Sequence, residues 1–120
     1  MRSLFTALRA RLGGGDASGL PKTVDARTAL DLVAEGAVVI DVREQGEWRT
    51  GHAPRALHIP LSDIHTASGR LREDARVVVM CASGMRSRSG ASALRRAGID
   101  ATSLSGGIAA WRAAGGTVRR

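Results

Sequence analysis

The chain has 120 residues, of which 43% are apolar, and this suits one compact domain with a buried core. Its single cysteine excludes an intramolecular disulfide and favours a reducing compartment, which we take to be the cytoplasm. The formal net charge of +7 would suit a nucleic-acid binder, but the arginines are scattered among acidic residues and the three aromatic residues are dispersed. We therefore predict no nucleic-acid partner.

Residues 1–21 differ in composition from the rest of the chain. The apolar side chains of residues 1–12 fall on one face of a basic helix: Leu4, Phe5, Leu8 and Leu12. Three glycines and a linker through Pro21 follow. Such a helix can lie on a membrane surface or dock on a partner, but we favour a frayed helix without that role. No stretch reaches the ~20 apolar residues of a transmembrane helix or the uninterrupted apolar core of a secretory signal.

Residues 22–116 alternate between short apolar runs and helical patterns. We predict strands at Val24, 37–40, 57–59, 77–80 and 101–104, helices over about 26–35, 44–50, 86–97 and 106–111, and a helical turn over 62–69. The runs 37–40 and 77–80 are wholly apolar, as in strands buried on both faces. This order predicts a three-layer α/β fold with a mostly parallel five-stranded central sheet and helices on both faces. Residues 117–120 form a basic C-terminal tail.

Cys81 stands where the second buried strand ends, the place where parallel sheets bind ligands. A tight loop through Gly84 then leads into a helix, and this arrangement can aim backbone N–H groups and the helix dipole at a thiolate, which lowers its pKa. Arg86 adds a forked donor for an oxyanion. An inert buried cysteine is the alternative, but Gly84, Arg86, Ser87 and the following helix favour a nucleophile.

The chain resembles the rhodanese family over nearly all of residues 22–115. Four segments match in order and spacing: VIDVR at 39–43; Glu44, Glu47, Gly51-His52 and Ile59-Pro60; CASGMRS at 81–87; and LSGGIAAW at 104–111. Each segment alone is a weak signal. Together they identify a rhodanese-like fold.

The resemblance implies a sulfurtransferase that moves sulfane sulfur from thiosulfate or a persulfide donor to cyanide, a thiol or a partner protein. Cys81 would be the nucleophile and would carry the persulfide, while Arg86 would attract the anionic donor. The persulfide would be held by the backbone N–H groups of Ala82, Ser83, Gly84, Met85, Arg86 and Ser87. Asp41 and Arg43 would support the loop by structural pairing. Neither a cofactor nor a metal is implied.

The loop length separates two chemistries on this fold. Cys81 to Arg86 is C-x4-R, one residue shorter than the C-x5-R loop of the related protein phosphatases, and the tighter loop favours sulfur over phosphate. The remaining alternatives are a sulfur-carrier module with little thiosulfate activity and a redox-sensing or partner-binding module.

Four further residues have roles that the sequence leaves open. We expect His52 to be a structural hydrogen-bonding residue and not a general base, and Trp48 and Trp111 to anchor their helices in the core. Arg55 replaces a common glycine of the family pattern, so it either adds charge near the pocket mouth or is solvated.

Overall fold

The five predicted strands form one sheet in which every neighbouring pair is parallel. The computed structural model describes residues 19–120. The strands are β1 (Thr23–Val24), β2 (Val38–Asp41), β3 (Leu57–His58), β4 (Arg76–Met80) and β5 (Asp100–Leu104), in the spatial order β1-β5-β4-β2-β3. The predicted α/β class and five-stranded sheet are therefore confirmed.

Helices cover both faces of this sheet. They are α1 (Ala26–Ala34), α2 (Gln45–Arg49), α3 (Met85–Arg96) and α4 (Gly107–Ala113), with a 3-10 helix at Leu61–Arg70. Along β4, Val78 and Met80 join a core cluster with α1 and α4, whereas Val77 and Val79 join one with α3 and the 3-10 helix. Alternate side chains of a strand point to opposite faces, so the all-apolar run reflects burial on both.

The strand order places two groups of residues at opposite edges of the sheet. Because all the strands are parallel, Cys81 after β4 lies at the same edge as Arg43 after β2. The starts of β2, β3 and β4 meet at the other edge. We call these the carboxyl edge and the amino edge.

A buried ion pair terminates β2 at the carboxyl edge. Arg43 Nη2 lies 2.7 Å from Asp41 Oδ2, Arg43 Nε lies 2.9 Å from Oδ1, and both side chains are buried. The remaining guanidinium donors bind the carbonyls of Gly51 at 2.7 Å and Glu47 at 3.2 Å. The pair therefore attaches α2 and the turn after it to the end of β2.

The C-terminal residues also contact the domain. His52 and Arg119 exchange two backbone hydrogen bonds of 2.9 Å, and Trp111 Nε1 donates to the Thr117 carbonyl at 2.9 Å. The amphipathic helix predicted over 1–12 lies outside the described residues. Within 19–120, no helix is long and apolar enough to cross a membrane.

We expect Asp41→Ala to lower the free energy of unfolding by about 3–5 kcal/mol, because it leaves the Arg43 charge buried and uncompensated. Asp74→Ala is the control, since Asp74 pairs with Arg72 at 3.4 Å and both side chains are largely exposed. It should change the same free energy by less than about 1 kcal/mol. Urea unfolding followed by tryptophan fluorescence measures both. An equal loss of unfolding free energy in the two variants would contradict the prediction that the buried pair stabilises the fold more than the exposed one.

Candidate active site

The Cys81 sulfur lies inside a cradle of backbone donors. Cys81 has no exposed surface, and its Sγ accepts hydrogen bonds from the N–H groups of Gly84 at 3.0 Å and Ser87 at 3.3 Å. Gly84 has φ +107, and a Cβ there would lie 3.2 Å from the Gly106 nitrogen. Only glycine therefore suits this turn, which directs the N-terminus of the 12-residue helix α3 toward the sulfur.

Hydrogen bonding, opposed by burial, sets the pKa of Cys81. Burial raises this pKa, but the Ser87 hydroxyl and the N–H groups of Ser87, Gly84 and Ser83 together outweigh it. The pKa of Cys81 is therefore lowered from that of an ordinary thiol. The thiolate, which is the nucleophilic form, is correspondingly more populated near neutral pH.

A buried serine pair stands beside the sulfur. Ser87 Oγ lies 3.5 Å from Cys81 Sγ, 3.1 Å from the Gly84 carbonyl oxygen and 2.7 Å from Ser103 Oγ. Ser87 has one hydroxyl hydrogen, for which the Gly84 carbonyl and the Cys81 thiolate compete, and either serine can donate in the pair with Ser103. If Ser103 donates to Ser87, that hydrogen is available to the thiolate. Sequence reasoning missed Ser103; its only local signal is a hydroxyl within a buried strand.

The guanidinium of Arg86 is held by a carboxylate. Arg86 Nη1 and Nη2 bind Glu47 Oε1 and Oε2 at 2.7 and 2.8 Å, which joins α2 to the first turn of α3. The hydrogen bond from Arg86 is the main cause that lowers the Glu47 pKa from 4.5 to about 2, although burial opposes it. The stability that this pair contributes is thus lost only as the pH falls from 4.5 toward 2. The sequence predicted that Arg86 would bind an anionic donor, and it did not predict that the Glu47 carboxylate would bind the same guanidinium.

The start of α4 packs against the backbone of the Cys81 loop. The Ile108 N–H donates to the Cys81 carbonyl at 2.9 Å. Gly107 has φ +62, and a Cβ on it would overlap the carbonyls of Cys81 and Ala82. Gly107 therefore permits a contact with the loop backbone that any side chain would prevent.

The two histidines nearest α2 have structural partners. His52 Nδ1 lies 3.0 Å from the Trp48 carbonyl oxygen, and His58 Nε2 lies 2.8 Å from the Arg43 carbonyl oxygen. Both imidazoles stack on Trp48, with ring centroids 3.5 and 4.7 Å away. Trp48 is half-buried outside both core clusters, so its prediction as a core anchor is wrong, whereas Trp111 lies in the core as expected.

Arg55 lies away from the sulfur. It precedes β3 and lines a cleft with Val38 and Arg76, which begin β2 and β4 at the amino edge. The alternative that placed its charge near the mouth of the Cys81 pocket is therefore wrong.

A smaller cleft of about 300 Å³ adjoins the loop at the carboxyl edge. Ser83, Gly84 and Met85 line it, together with Arg88 from the first turn of α3. Met85 is 71% exposed, so an apolar side chain lies beside the loop at the surface. In residues 19–120, no group of three or more His, Cys, Asp or Glu side chains is placed to hold a metal ion.

If Ser103 is the donor in the serine pair, Ser103→Ala raises the pKa of Cys81, because Ser87 then loses the partner that leaves its own hydrogen available to the thiolate. The pH dependence of iodoacetamide alkylation gives this pKa. Thr102→Val is the matched control, since Thr102 is the neighbouring buried hydroxyl on β5 and its Oγ1 has no hydrogen-bond partner within the described chain. An unchanged midpoint in Ser103→Ala, or an equal rise in the control, would refute the role of Ser103.

Comparison with known proteins gives one family. The sequence matches the rhodanese-like domain over residues 8–114. It is 37% identical over 94 residues to the probable adenylyltransferase/sulfurtransferase MoeZ of Mycobacterium tuberculosis, a match that covers 74% of this chain but only 24% of that relative. It is 36% identical over 95 residues to the thiosulfate sulfurtransferase GlpE of Pseudomonas entomophila, covering 76% of this chain and 84% of GlpE.

Solved structures have the same fold. A rhodanese-related protein from Thermoplasma volcanium superposes with a TM-score of 0.74 at 27% identity, covering 82% of this chain and 98% of that one.

Proposed function

Because the chain belongs to the rhodanese-like domain family, we propose that it is a sulfurtransferase that carries sulfane sulfur as a persulfide on Cys81. The observation that carries this proposal is the cradle, in which the N–H groups of Gly84 and Ser87 converge on Sγ at the start of α3. Such a cradle stabilises a thiolate before the reaction and a persulfide anion after it. It needs no neighbouring base, because the sulfur is already deprotonated when it attacks.

The loading step follows from this geometry. The Cys81 thiolate attacks the outer sulfur of thiosulfate, so that a sulfur–sulfur bond forms as the bond to the sulfonate sulfur breaks. Sulfite leaves with the electron pair of that bond, and the outer sulfur stays on Cys81 as a persulfide anion. The thiolate and thiosulfate together carry the same charge as the persulfide anion and sulfite, so the step needs no proton transfer.

The unloading step regenerates the thiolate. Cyanide, a thiolate or a partner protein's sulfur attacks the outer persulfide sulfur, and the bonding pair returns to Cys81. A single cysteine that cycles in this way suits a reducing compartment, which favours the cytoplasm. Support for thiosulfate as a donor comes from the similarity to GlpE, which is a thiosulfate sulfurtransferase by name.

The Glu47–Arg86 pair supports a second candidate, a sulfur carrier with little thiosulfate activity. The carboxylate binds both terminal nitrogens of the guanidinium, which an anionic donor would use for bidentate contact. Thiosulfate must therefore compete with Glu47 for Arg86. A persulfide delivered by a partner protein would not need to bind that arginine.

We expect thiosulfate to add the mass of one sulfur atom to the protein, and cyanide or dithiothreitol to remove it, because Cys81 becomes a persulfide. Intact-mass spectrometry before and after each reagent measures this. Cys81→Ser, which keeps a small polar side chain without the nucleophile, should not gain mass. A gain that persists in Cys81→Ser would move the site elsewhere. If the native protein gains no mass, thiosulfate is not a donor. The sulfur-carrier function would then be tested with a protein persulfide as the donor.

We expect Glu47→Gln to speed loading at low thiosulfate several-fold, because the donor no longer competes with a carboxylate for Arg86. Arg86→Ala should slow loading, since it leaves the Glu47 charge facing the donor without its partner. Rates of persulfide formation at low and saturating thiosulfate separate donor binding from chemistry. If Glu47→Gln slows loading as much as Arg86→Ala, the pair holds the loop in shape and does not gate the donor.

A further inference from the structure

A second cleft lies at the amino edge of the sheet, opposite the sulfur. It has a volume of about 580 Å³, within the common range of about 300–1,000 Å³ for ligand sites. Four arginines line it: Arg55, Arg70, Arg72 and Arg76. The five residues of β4 separate it from the Cys81 loop, a distance of about 16 Å at ~3.3 Å per residue. We call it the amino-edge cleft.

Its positive charge is only partly balanced. The cleft contains two carboxylates, Glu35 and Asp74, beside Arg55, Arg70 and Arg72. Asp74 pairs with Arg72 at 3.4 Å, but both side chains are more than three-quarters exposed, so another carboxylate can replace that partner at little cost. Among residues 19–120, no carboxylate lies within ion-pairing distance of Arg55 or Arg70. Both are exposed and available to an anionic partner.

Backbone strain at Arg55 points independently to the same place. Arg55 has φ +66, and within 19–120 it is the non-glycine residue with a positive φ. A side chain in this left-handed region is disfavoured, and glycine would adopt it freely. The strained turn places an arginine on the wall of the cleft. Such outliers concentrate where a side chain serves a function.

The floor of the cleft defines the kind of partner. Val38, Leu57 and Leu71 line it, and all three are half-buried against the core cluster of α3 and the 3-10 helix. The lining residues include no aromatic ring on which a base could stack, and the apolar side chains among them suit an apolar group of the ligand. Carboxylates beside an apolar side chain match the cleft better.

We propose that the amino-edge cleft binds an acidic segment of a partner protein. The segment's carboxylates pair with Arg55, Arg70 and Arg72, and an apolar side chain between them rests on Leu57 and Leu71. The site is independent of the sulfur chemistry, because no residue of the Cys81 loop contributes to it. A partner can therefore be held at one edge while Cys81 reacts at the other.

The test uses the full chain and a fluorescein-labelled peptide of four Glu-Leu-Asp repeats, followed by fluorescence anisotropy at low salt. We expect saturable binding that weakens on the order of fivefold or more in Arg55→Gly/Arg70→Ala, since two charge-assisted contacts are lost. Arg27→Ala/Arg112→Ala removes the same charge from exposed positions outside the cleft and should bind as the native protein does. A peptide with Gln and Asn in place of the acids should not bind.

Each remaining outcome overturns the proposal. The absence of saturable binding, or an equal loss in the two double variants, would show that no site for an acidic segment exists there. Tighter binding of oligothymidylate or tripolyphosphate that depends on Arg55 and Arg70 would assign the cleft to a phosphate ligand. Melting temperature and thiosulfate loading of Arg55→Gly/Arg70→Ala verify its fold, and the proposal stands or falls on peptide binding whether or not loading occurs.

Discussion

The contact between the backbone of Cys81–Ala82 and the first turn of α4 is the constraint on which the site depends. Gly107 has no room for a Cβ there, and the Ile108 N–H holds the Cys81 carbonyl. With its start fixed in this way, the loop can turn at Gly84 and present N–H groups to the sulfur. The conformation of the loop thus rests on Gly107, which follows Cys81 by 26 positions in the sequence.

A chain of charges links the interior to the rim of the site. The buried Asp41–Arg43 pair binds the Glu47 carbonyl, and the Glu47 carboxylate binds Arg86 at the half-exposed start of α3. Asp41 neutralises the buried Arg43, and Glu47 neutralises Arg86. Through Glu47 of α2, Asp41 and Arg43 are joined to Arg86 of the Cys81 loop.

The local sequence pattern was sufficient to predict the strands, the helices and the position of Cys81 at the end of β4. The apolar runs, the glycines and the C-x4-R spacing are features of neighbouring residues, and they indicated strands, turns and loop correctly. The Glu47–Arg86 pair, the Ser87–Ser103 pair and the place of Arg55 depend on which strands become neighbours in space. Glu47 and Arg86 are 39 positions apart in the sequence, and Ser87 and Ser103 are 16 apart. No local sequence pattern predicts contacts over such separations. Trp48 was misassigned because an indole stacked on imidazoles has the same local pattern as one in a core.

The complete burial of Cys81 has a consequence for the integrity of a protein with one thiol. A disulfide between two copies requires their Cα atoms to approach within about 4.4–6.8 Å. Because Cys81 is buried beneath its loop, the cysteine of a second copy cannot approach it that closely unless the loop moves, which disfavours oxidative cross-linking of two copies. In the proposed persulfide the reactive sulfur lies one sulfur–sulfur bond, about 2.05 Å, beyond Sγ. The burial thus separates the bare thiol from large oxidised partners, and in the proposed cycle the sulfur to be transferred lies one bond beyond that buried atom.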